Sequence, residues 1–418
     1  MSRSVEQAAL ALEASRERVL RLTDVDEAEL VRQHSPLMSP LVWDLAHVGQ
    51  QEEHWLLGGA GEPVFRPEVA ALYDAFAHPR ATRPSLPLLD APAARRHLAE
   101  VRARVLDRLD ASDPFALAMV AQHEEQHVET MLATHQLRVG APLLGDGATP
   151  LAGRPADSSV LVPAGTFTMG TDPAQHPGAL DNELPGHPVH VGAYRIARHP
   201  VTNAGWAAFA AAGGYADRRL WSAEGWAASR GIDAPLSWSP DGAGGWLRTR
   251  FGVVEAVPPD EPVQHVSAHE ADAYARWAGG RLPTEAEWEK ACGWDPVRRT
   301  RRAWPWGEEA PRQGLATLGG AALRPAAVGS LPDGASAYGV EQLLGDVWEW
   351  TSTDLVVYAG FRPMMYADYT EPFSAKGYRV LRGGSWATAV SAVRPGFRNW
   401  DLPRRRQIFS GLRLAWDA

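Results

Sequence analysis

The pattern of apolar residues changes near Gly140, and this change constrains the fold more than any other feature of the chain. Up to that point the sequence is rich in Ala, Leu, Glu and Arg, and its apolar residues recur with the period of about 3.6 that is typical of amphipathic helices. Segments containing proline interrupt the pattern at Ser35–Pro40 and His78–Pro87. Residues 1–140 are therefore predicted to form a bundle of roughly four helices.

The remainder of the chain has a different composition. Residues 141–158 are dense in glycine, proline and small polar residues and are predicted to be a linker. Beyond them, short apolar runs alternate with turn-rich segments, and most of the 17 tryptophans lie after residue 200. A helical pattern returns only at His269–Gly280 and Pro283–Gly293. Residues 159–418 are thus predicted to form an α+β domain with little regular structure, in which tryptophans hold long loops in place.

Charge and hydropathy exclude several classes of partner. The net charge of −9 argues against nucleic acid and against anionic membranes, because both attract a basic surface. No apolar run approaches the ~20 residues of a membrane span, and the N-terminus lacks the apolar core of a signal peptide. We therefore expect a cytoplasmic protein. The single cysteine, Cys292, excludes a disulfide framework and is predicted to be a buried structural thiol.

The motif HEEQH at His123–His127 places two imidazoles four residues apart in a stretch with a helical pattern. At ~3.6 residues per turn the two rings lie on one helical face, the arrangement with which zincins bind a metal. Glu129 lies roughly 200° round the helix from His127 and points away from both rings. A third ligand must therefore come from another segment.

His47 is the best candidate for that ligand. It lies in an apolar segment with a helical period, where a histidine with a structural role in the core is the alternative. His54 and His135 are weaker candidates, and His135 is expected to face solvent because it lies two turns beyond His127. Three neutral imidazoles suit zinc, copper or iron and leave coordination positions open. Ligand type alone leaves the metal undecided.

Six motifs in the second half occur in a characteristic order. They are PAGTFTMG (Pro163–Gly170), PVTNAGWAAF (Pro200–Phe209), EPVQHVS (Glu261–Ser267), GGRLPTEAEWEKA (Gly279–Ala291), GDVWEWT (Gly345–Thr351) and RGGSW (Arg382–Trp386). Together they resemble the formylglycine-generating enzyme and sulfatase-modifying-factor fold, a relative of the C-type lectins. That family uses two late cysteines, and this chain has none after Cys292, so the domain is expected to be a scaffold for substrate loops.

The first half resembles the DinB-like four-helix bundles, which bind metals through three histidines. Together with MSPLVWDLAH (Met38–His47) and the C-terminal FRNWDLPRRRQIFSGLRLAW, the two-domain pattern is similar to the sulfoxide synthases of ergothioneine biosynthesis, of the actinobacterial type that uses γ-glutamylcysteine. The resemblance implies a non-haem Fe(II) held by His47, His123 and His127, with dioxygen as co-substrate. It implies a C–S bond between γ-glutamylcysteine and C2 of the hercynine imidazole, with oxidation of the sulfur. Because the bond and the sulfoxide each release two electrons, no nicotinamide or flavin is expected.

The resemblance also assigns roles to residues near the metal and in the loop PMMYADY. Tyr366 falls at the position of the catalytic tyrosine and would donate a proton, and Tyr369 would line the substrate pocket. Without the resemblance, both would be read as core or surface aromatics. Gln126 lies about 60° from the direction of His123, so its amide would border the metal, unless it lies on a solvated helix surface. Asp44 and Glu129 would either orient imidazoles or have ordinary surface or capping roles.

The C-terminal segment NWDLPRRR supplies the remaining substrate contacts. By resemblance, Asp401, Arg405 and, from the first domain, Arg83 bind γ-glutamylcysteine, whose two carboxylates and one ammonium require guanidinium groups and an acid. Arg80 is a weaker candidate than Arg83. Asn399 and Trp400 would line the hercynine pocket, where an aromatic face suits a trimethylammonium group.

Three other functions remain open from the sequence. A selenoneine-type synthase would take a selenosugar in place of the thiol, and the Asp401 and Arg405 pair argues against it. A zinc-dependent thiol transferase of the DinB-like class would use the same histidines. A non-catalytic binding module would use the lectin-like half for recognition and the histidines for structure.

Overall fold

The computed structural model describes residues 3–61, 66–145, 147–148, 151–154, 158–174 and 176–418. It divides into two compact units, Met1–Leu144 and Gly145–Ala418. The first is helical, and the second contains short strands, short helices and long loops. The predicted linker at 141–158 includes residues 146, 149–150 and 155–157, which lie outside the described residues.

Four long helices and two short ones form the described part of the first unit. They are α1 (Arg3–Leu22), α2 (Glu27–Val31), α3 (Leu41–Glu52), α4 (Pro67–Leu72), α5 (Ala91–Leu106) and α6 (Pro114–Leu137). Asp113 begins α6 because its side chain accepts a hydrogen bond from the amide of Phe115 at 3.0 Å, and Pro114 needs no amide partner in the first turn. Helix α1 packs along α6, and α3 packs against α5 and α6.

A buried group of four charged side chains joins the four long helices. Arg16 of α1 lies 2.6 Å from carboxylate oxygens of both Glu52 on α3 and Glu124 on α6. Arg102 of α5 lies 2.5 Å from Glu52 and 3.1 Å from Glu124. Each carboxylate therefore meets two guanidinium groups, which compensates its desolvation. We call these residues the buried tetrad.

The second unit combines four short helices with five small sheets among its described residues. The helices are α7 (Asn203–Ala211), α8 (Ala223–Ala228), α9 (Ala268–Trp277) and α10 (Glu285–Gly293). The strands are β1 (Ser159–Val162), β2 (Gly165–Met169), β3 (His187–Val191), β4 (Tyr194–Ala197), β5 (Trp238–Pro240), β6 (Trp246–Arg250), β7 (Val253–Ala256), β8 (Trp294–Asp295), β9 (Thr300–Arg301), β10 (Trp348–Asp354), β11 (Arg379–Arg382), β12 (Asn399–Asp401), β13 (Ser410–Gly411) and β14 (Ala415–Asp417). The largest sheet has the order β12-β11-β10-β13, and β10 and β13 are parallel.

Residues from two of the six motifs meet residues of the C-terminal segment in the core of this unit. Arg398 lies 2.6 Å from Glu285, and Arg413 lies 2.9 Å from Glu349, with all four side chains almost fully buried. The indole of Trp288 donates a further hydrogen bond to Glu349 at 2.7 Å. Since a buried carboxylate needs such partners, the motif residues depend on one another for stability.

The predicted loop-rich character of the second unit is observed. Trp206, Trp350 and Trp386 are fully buried between loops and short elements. Cys292 is buried as predicted, and burial raises the pKa of its thiol. Helices α7 and α8 were not predicted from the sequence. Among the described residues, no helix has both the length and the apolar composition needed to cross a membrane.

Candidate metal centre

The structure brings His47 of α3 together with His123 and His127 of α6. One ring nitrogen from each lies within 4.8 Å of those of the other two. The ring centroids are 5.2 Å apart for His47 and His123, 4.6 Å for His47 and His127, and 4.7 Å for the two histidines of α6. The spacing of four residues accounts for the last distance, and the packing of α3 on α6 accounts for the other two.

Two of the rings are oriented by hydrogen bonds from their far nitrogens. Nδ1 of His47 lies 2.8 Å from the carbonyl oxygen of Tyr73, and Nδ1 of His127 lies 3.0 Å from Oδ1 of Asp44. A carbonyl oxygen only accepts, so Nδ1 of His47 donates, and the neutral ring then has its lone pair on Nε2. Partners of this kind fix the ring plane and tautomer of metal-binding histidines.

The environment of His47 and His123 favours their neutral form. Burial lowers the pKa of His47 and of His123 well below the ordinary value of 6.5, and the neighbouring histidines lower it further. The neutral ring is the form in which histidine binds a metal, and three imidazole nitrogens that lie this close together could hold one ion. With no thiolate or carboxylate in the trio, the donor set fits iron, zinc or copper.

The Trp43 ring and the Arg83 guanidinium group lie beside His47 in two successive layers. The Trp43 ring stacks on His47 with centroids 4.4 Å apart and planes 17° from parallel. Cζ of Arg83 lies 3.5 Å from the centroid of Trp43, and burial lowers the Arg83 pKa to about 10. Arg83 donates to Ser39 at 2.5 Å and to the carbonyl of His78 at 2.9 Å. Its predicted contact with the thiol substrate stays a prediction.

The other candidates of the first unit lie in different environments. Gln126 and Glu129 are half-buried on α6, and His54 is exposed with its ring edge-on to Trp55. The expectation that His135 faces solvent is wrong, because it is buried and its Nε2 lies 2.8 Å from the carbonyl of Leu22. Helix α1 covers that face of α6, which the spacing within α6 does not indicate.

Sequence reasoning missed the carbonyl of Tyr73 as a partner of His47. No local pattern indicates it, because Tyr73 is 26 residues away and acts through its backbone. The stacking of Trp43 had a detectable signal, namely its position one helical turn before His47. Asp44 was predicted either to orient an imidazole or to have an ordinary surface or capping role. It is buried and contacts His127.

The candidate residues of the second unit lie close to one another. The rings of Tyr366 and Tyr369 are 5.8 Å apart, and Tyr369 lies edge-on to Trp400 of β12 at 5.4 Å. Phe373 adds a further ring 5.7 Å from Trp400. We call these four residues the aromatic cluster. Asn399 immediately precedes Trp400 on β12, and its Oδ1 accepts from the Trp400 amide at 2.8 Å.

Asp401 and Arg405 form an ion pair with Oδ1 and Nε 3.5 Å apart. Asp401 also accepts a hydrogen bond from the amide of Leu402 at 2.7 Å. Nε and Nη1 of Arg405 are buried and have no hydrogen-bond partner within the described part of the chain, although Nε lies at the ion-pair distance from Asp401. Leaving a buried donor without a hydrogen bond costs about 1–3 kcal/mol.

Comparison with known proteins extends these observations to the whole chain. Residues 11–131 match the model of the DinB superfamily, and residues 148–418 match that of the sulfatase-modifying factor enzyme 1-like domain. The chain is 59% identical to a hercynine oxygenase of Mycolicibacterium thermoresistibile, covering 96% of this chain and 93% of that protein. The chain belongs to the hercynine oxygenase family. The hercynine oxygenase of Mycobacterium tuberculosis is 56% identical and covers 99% of both chains.

Membership of the hercynine oxygenase family confirms the resemblance drawn from the motifs. The formylglycine-generating enzyme of Streptomyces coelicolor is 34% identical over 68% of this chain and 97% of that protein. That similarity covers about two thirds of this chain, whereas the hercynine oxygenases match along nearly the full length. The protein is therefore an oxygenase by family.

Proposed function

We propose that the protein is an iron-dependent sulfoxide synthase that joins the sulfur of γ-glutamylcysteine to C2 of the hercynine imidazole. The observation that carries the proposal is the trio of converging imidazoles in a chain 59% identical to a hercynine oxygenase. In the overall reaction, thiol, imidazole C–H and dioxygen give the sulfoxide and water. The C–S bond and the sulfoxide each supply two electrons, so dioxygen is fully reduced without another reductant.

His47, His123 and His127 would hold Fe(II). Bound iron would supply dioxygen activation and direct coordination of both substrates. Asp44 and the carbonyl of Tyr73 would keep two of the imidazoles in the orientation that binding needs. The amide of Gln126, one residue before His127, would bond a bound substrate.

The sulfur donor would bind through its charged groups. Arg405 has two buried N–H groups available for a carboxylate of γ-glutamylcysteine, and the neighbouring Asp401 would pair with the ammonium. Arg83 would contribute a second guanidinium group. A thiol substrate without a carboxylate would leave the two N–H groups of Arg405 unsatisfied, which gives the site its selectivity.

Hercynine would bind through its trimethylammonium group, which cannot donate a hydrogen bond. The aromatic cluster offers ring faces to such a cation, and Trp400 is the most favourable of them. Asn399 and Tyr369 would complete this pocket. The half-buried Tyr366 would act as a general acid and donate its phenolic proton.

Reconstitution with defined metals tests the proposal. The apoprotein is loaded with Fe(II) without oxygen and then exposed to oxygen with hercynine and either γ-glutamylcysteine or cysteine. We expect one dioxygen consumed per sulfoxide, detected by mass spectrometry, with γ-glutamylcysteine the better donor. A matched sample loaded with zinc should give no product. Turnover by the zinc sample would replace the proposed function with that of the zinc-dependent thiol transferase. A selenosugar is added as a third donor, and a product from it alone would replace the proposed function with that of the selenoneine-type synthase.

A further inference from the structure

A cleft lies in the Gly145–Ala418 unit, and the proposed reaction assigns no role to the residues that line it. Its volume is about 710 Å³. Its walls come from the end of β2, the hairpin that joins β8 to β9, and the loop containing Gly360 and Arg362. None of its lining residues belongs to the aromatic cluster or to the Asp401 and Arg405 pair.

Three guanidinium groups line this cleft. Arg299 and Arg362 are exposed, and neither side chain has a hydrogen-bond or ion-pair partner among the residues that the structure describes. Arg301 is nine-tenths buried and lies 3.0 Å from Glu289. Asp172 is the one carboxylate in the lining. The lining therefore carries a positive charge in a chain whose net charge is −9.

Two buried polar atoms on the same walls are unsatisfied. Oγ1 of Thr171 and Nε of Arg301 have no hydrogen-bond partner within the described ranges. Each such group has a cost of about 1–3 kcal/mol. The indole of Trp294 lines the cleft as well and offers an apolar surface to the body of a ligand.

We propose that this cleft binds a small molecule that carries a carboxylate or phosphate group. Guanidinium groups donate paired hydrogen bonds to the oxygens of carboxylates and phosphates. Such charge-assisted hydrogen bonds are stronger than hydrogen bonds between neutral groups. Arg301 pairs with Glu289, whereas Arg299 and Arg362 have no acidic partner among the described residues, and a bound anion would supply one. None of the residues proposed to contact the two substrates lines this cleft.

Calorimetric titration of the full chain with inorganic phosphate, and separately with succinate, tests the proposal at a fixed ionic strength set with sodium chloride. Saturable binding of at least one anion is expected. The double variant R299Q/R362Q should bind at least about tenfold more weakly, because hydrogen bonds to charged groups contribute about 1.5–3 kcal/mol. Arg298→Gln is the matched control, since Arg298 is exposed on the same hairpin and does not line the cleft.

The two anions distinguish the chemistry of the ligand. Binding of phosphate alone identifies a phosphorylated ligand, and binding of succinate alone identifies a carboxylate. Failure of both anions to bind saturably would overturn the proposal, and so would an equal loss of affinity in R299Q/R362Q and Arg298→Gln. The measurement needs no turnover, so its outcome is independent of the proposed oxygenase reaction.

Discussion

Asp44 is the side chain that most directly controls the orientation of a candidate metal ligand. It is buried on α3, and its Oδ1 lies 3.0 Å from Nδ1 of His127 on α6. The bond joins the two helices that carry the histidines and fixes which nitrogen of His127 faces the other rings. A neutral amide at this position would keep the shape and remove the negative charge.

We therefore predict that Asp44→Asn lowers iron affinity by about 10- to 100-fold, the usual effect of losing an orienting partner. Anaerobic Fe(II) titration read by ligand-field absorption measures this affinity. Asp74→Asn is the control, because Asp74 accepts hydrogen bonds only from nearby backbone amides on an exposed turn. Equal affinities for the wild-type protein and Asp44→Asn would remove the orienting role.

His265 gives the second unit a predictable pH dependence. It is buried, and burial lowers its pKa to about 4, whereas in the unfolded chain the pKa is near 6.5. The unfolded chain therefore binds more protons between these values, so stability rises with pH through this window and is lost as pH falls towards 4. The full loss is on the order of 3 kcal/mol.

His265→Asn should weaken this pH dependence, because asparagine does not titrate and tolerates the positive φ of 64° at this position. Urea denaturation at pH 7 and at pH 4.5, followed by tryptophan fluorescence, gives the two midpoints for each protein. The midpoint of the wild-type protein should shift more between the two pH values. A shift of the same size in His265→Asn would show that other groups govern the acid sensitivity.

Among the elements of the first unit, the helices that bear the histidines are joined by the buried tetrad. Glu52 follows His47 on α3, and Glu124 follows His123 on α6, so the ion pairs lie next to the candidate metal centre along both helices. Removing one carboxylate leaves two buried guanidinium groups with a single acidic partner. Such an uncompensated charge is far more costly than a lost surface pair.

Glu52→Gln should lower the unfolding free energy of the first unit by about 3–5 kcal/mol. Arg32→Ala, which breaks the exposed pair between Arg32 and Glu29, should change it by about 0.5 kcal/mol or less. Denaturation followed by circular dichroism at 222 nm measures both. A small effect of Glu52→Gln, comparable to that of Arg32→Ala, would contradict the structural role of the tetrad.

At the same scale, periodicity predicted some elements and missed others. The helical period of apolar residues predicted α3, and a run of 24 residues without an interior glycine or proline predicted α6, so the histidine trio could be predicted. Helix α7 was missed because it is nine residues long and mostly alanine with apolar residues around it, which gives no amphipathic stripe. The prediction that His135 faces solvent was wrong, because its burial depends on α1, which is distant in sequence.

The candidate site of the second unit was predictable only through family resemblance. Tyr369 and Trp400 are 31 positions apart in sequence, and they meet because the loop after β10 returns to the edge strand β12. No local pattern encodes such a contact. The motifs themselves were informative because residues such as Arg398 and Glu285 form buried ion pairs that the core requires.

At the scale of the whole molecule, the proposed reaction can be tested without altering the three histidines. Tyr366→Phe does so, because it removes only the phenolic hydroxyl group. Iron content and substrate affinities should stay unchanged, while sulfoxide yield falls by about 100-fold or more and turnover shifts to oxidation of the thiol alone. Mass spectrometry of both products, with iron analysis of the same sample, measures the change. An unchanged sulfoxide yield would remove Tyr366 from the reaction.

Arg405→Ala should discriminate between the two substrates of the whole enzyme. The two unsatisfied N–H groups of Arg405 are proposed to bind a carboxylate of γ-glutamylcysteine, so their loss should raise the KM for this substrate by about 10- to 100-fold. The KM for hercynine should change far less, because its trimethylammonium group is proposed to lie against aromatic rings. Oxygen-consumption kinetics with each substrate varied in turn gives both values.

Arg404→Ala is the matched control for this prediction, because Arg404 is the exposed neighbour of Arg405 and carries the same charge. If long-range attraction by the arginine run determined the affinity, both variants would lose affinity for the anionic donor alike, and the loss would diminish at high salt. If Arg405 makes a direct contact, only Arg405→Ala loses affinity and the loss persists in salt. Equal increases of the KM for hercynine and for γ-glutamylcysteine in Arg405→Ala would instead indicate general damage to β12 and its neighbours, and would contradict the assignment.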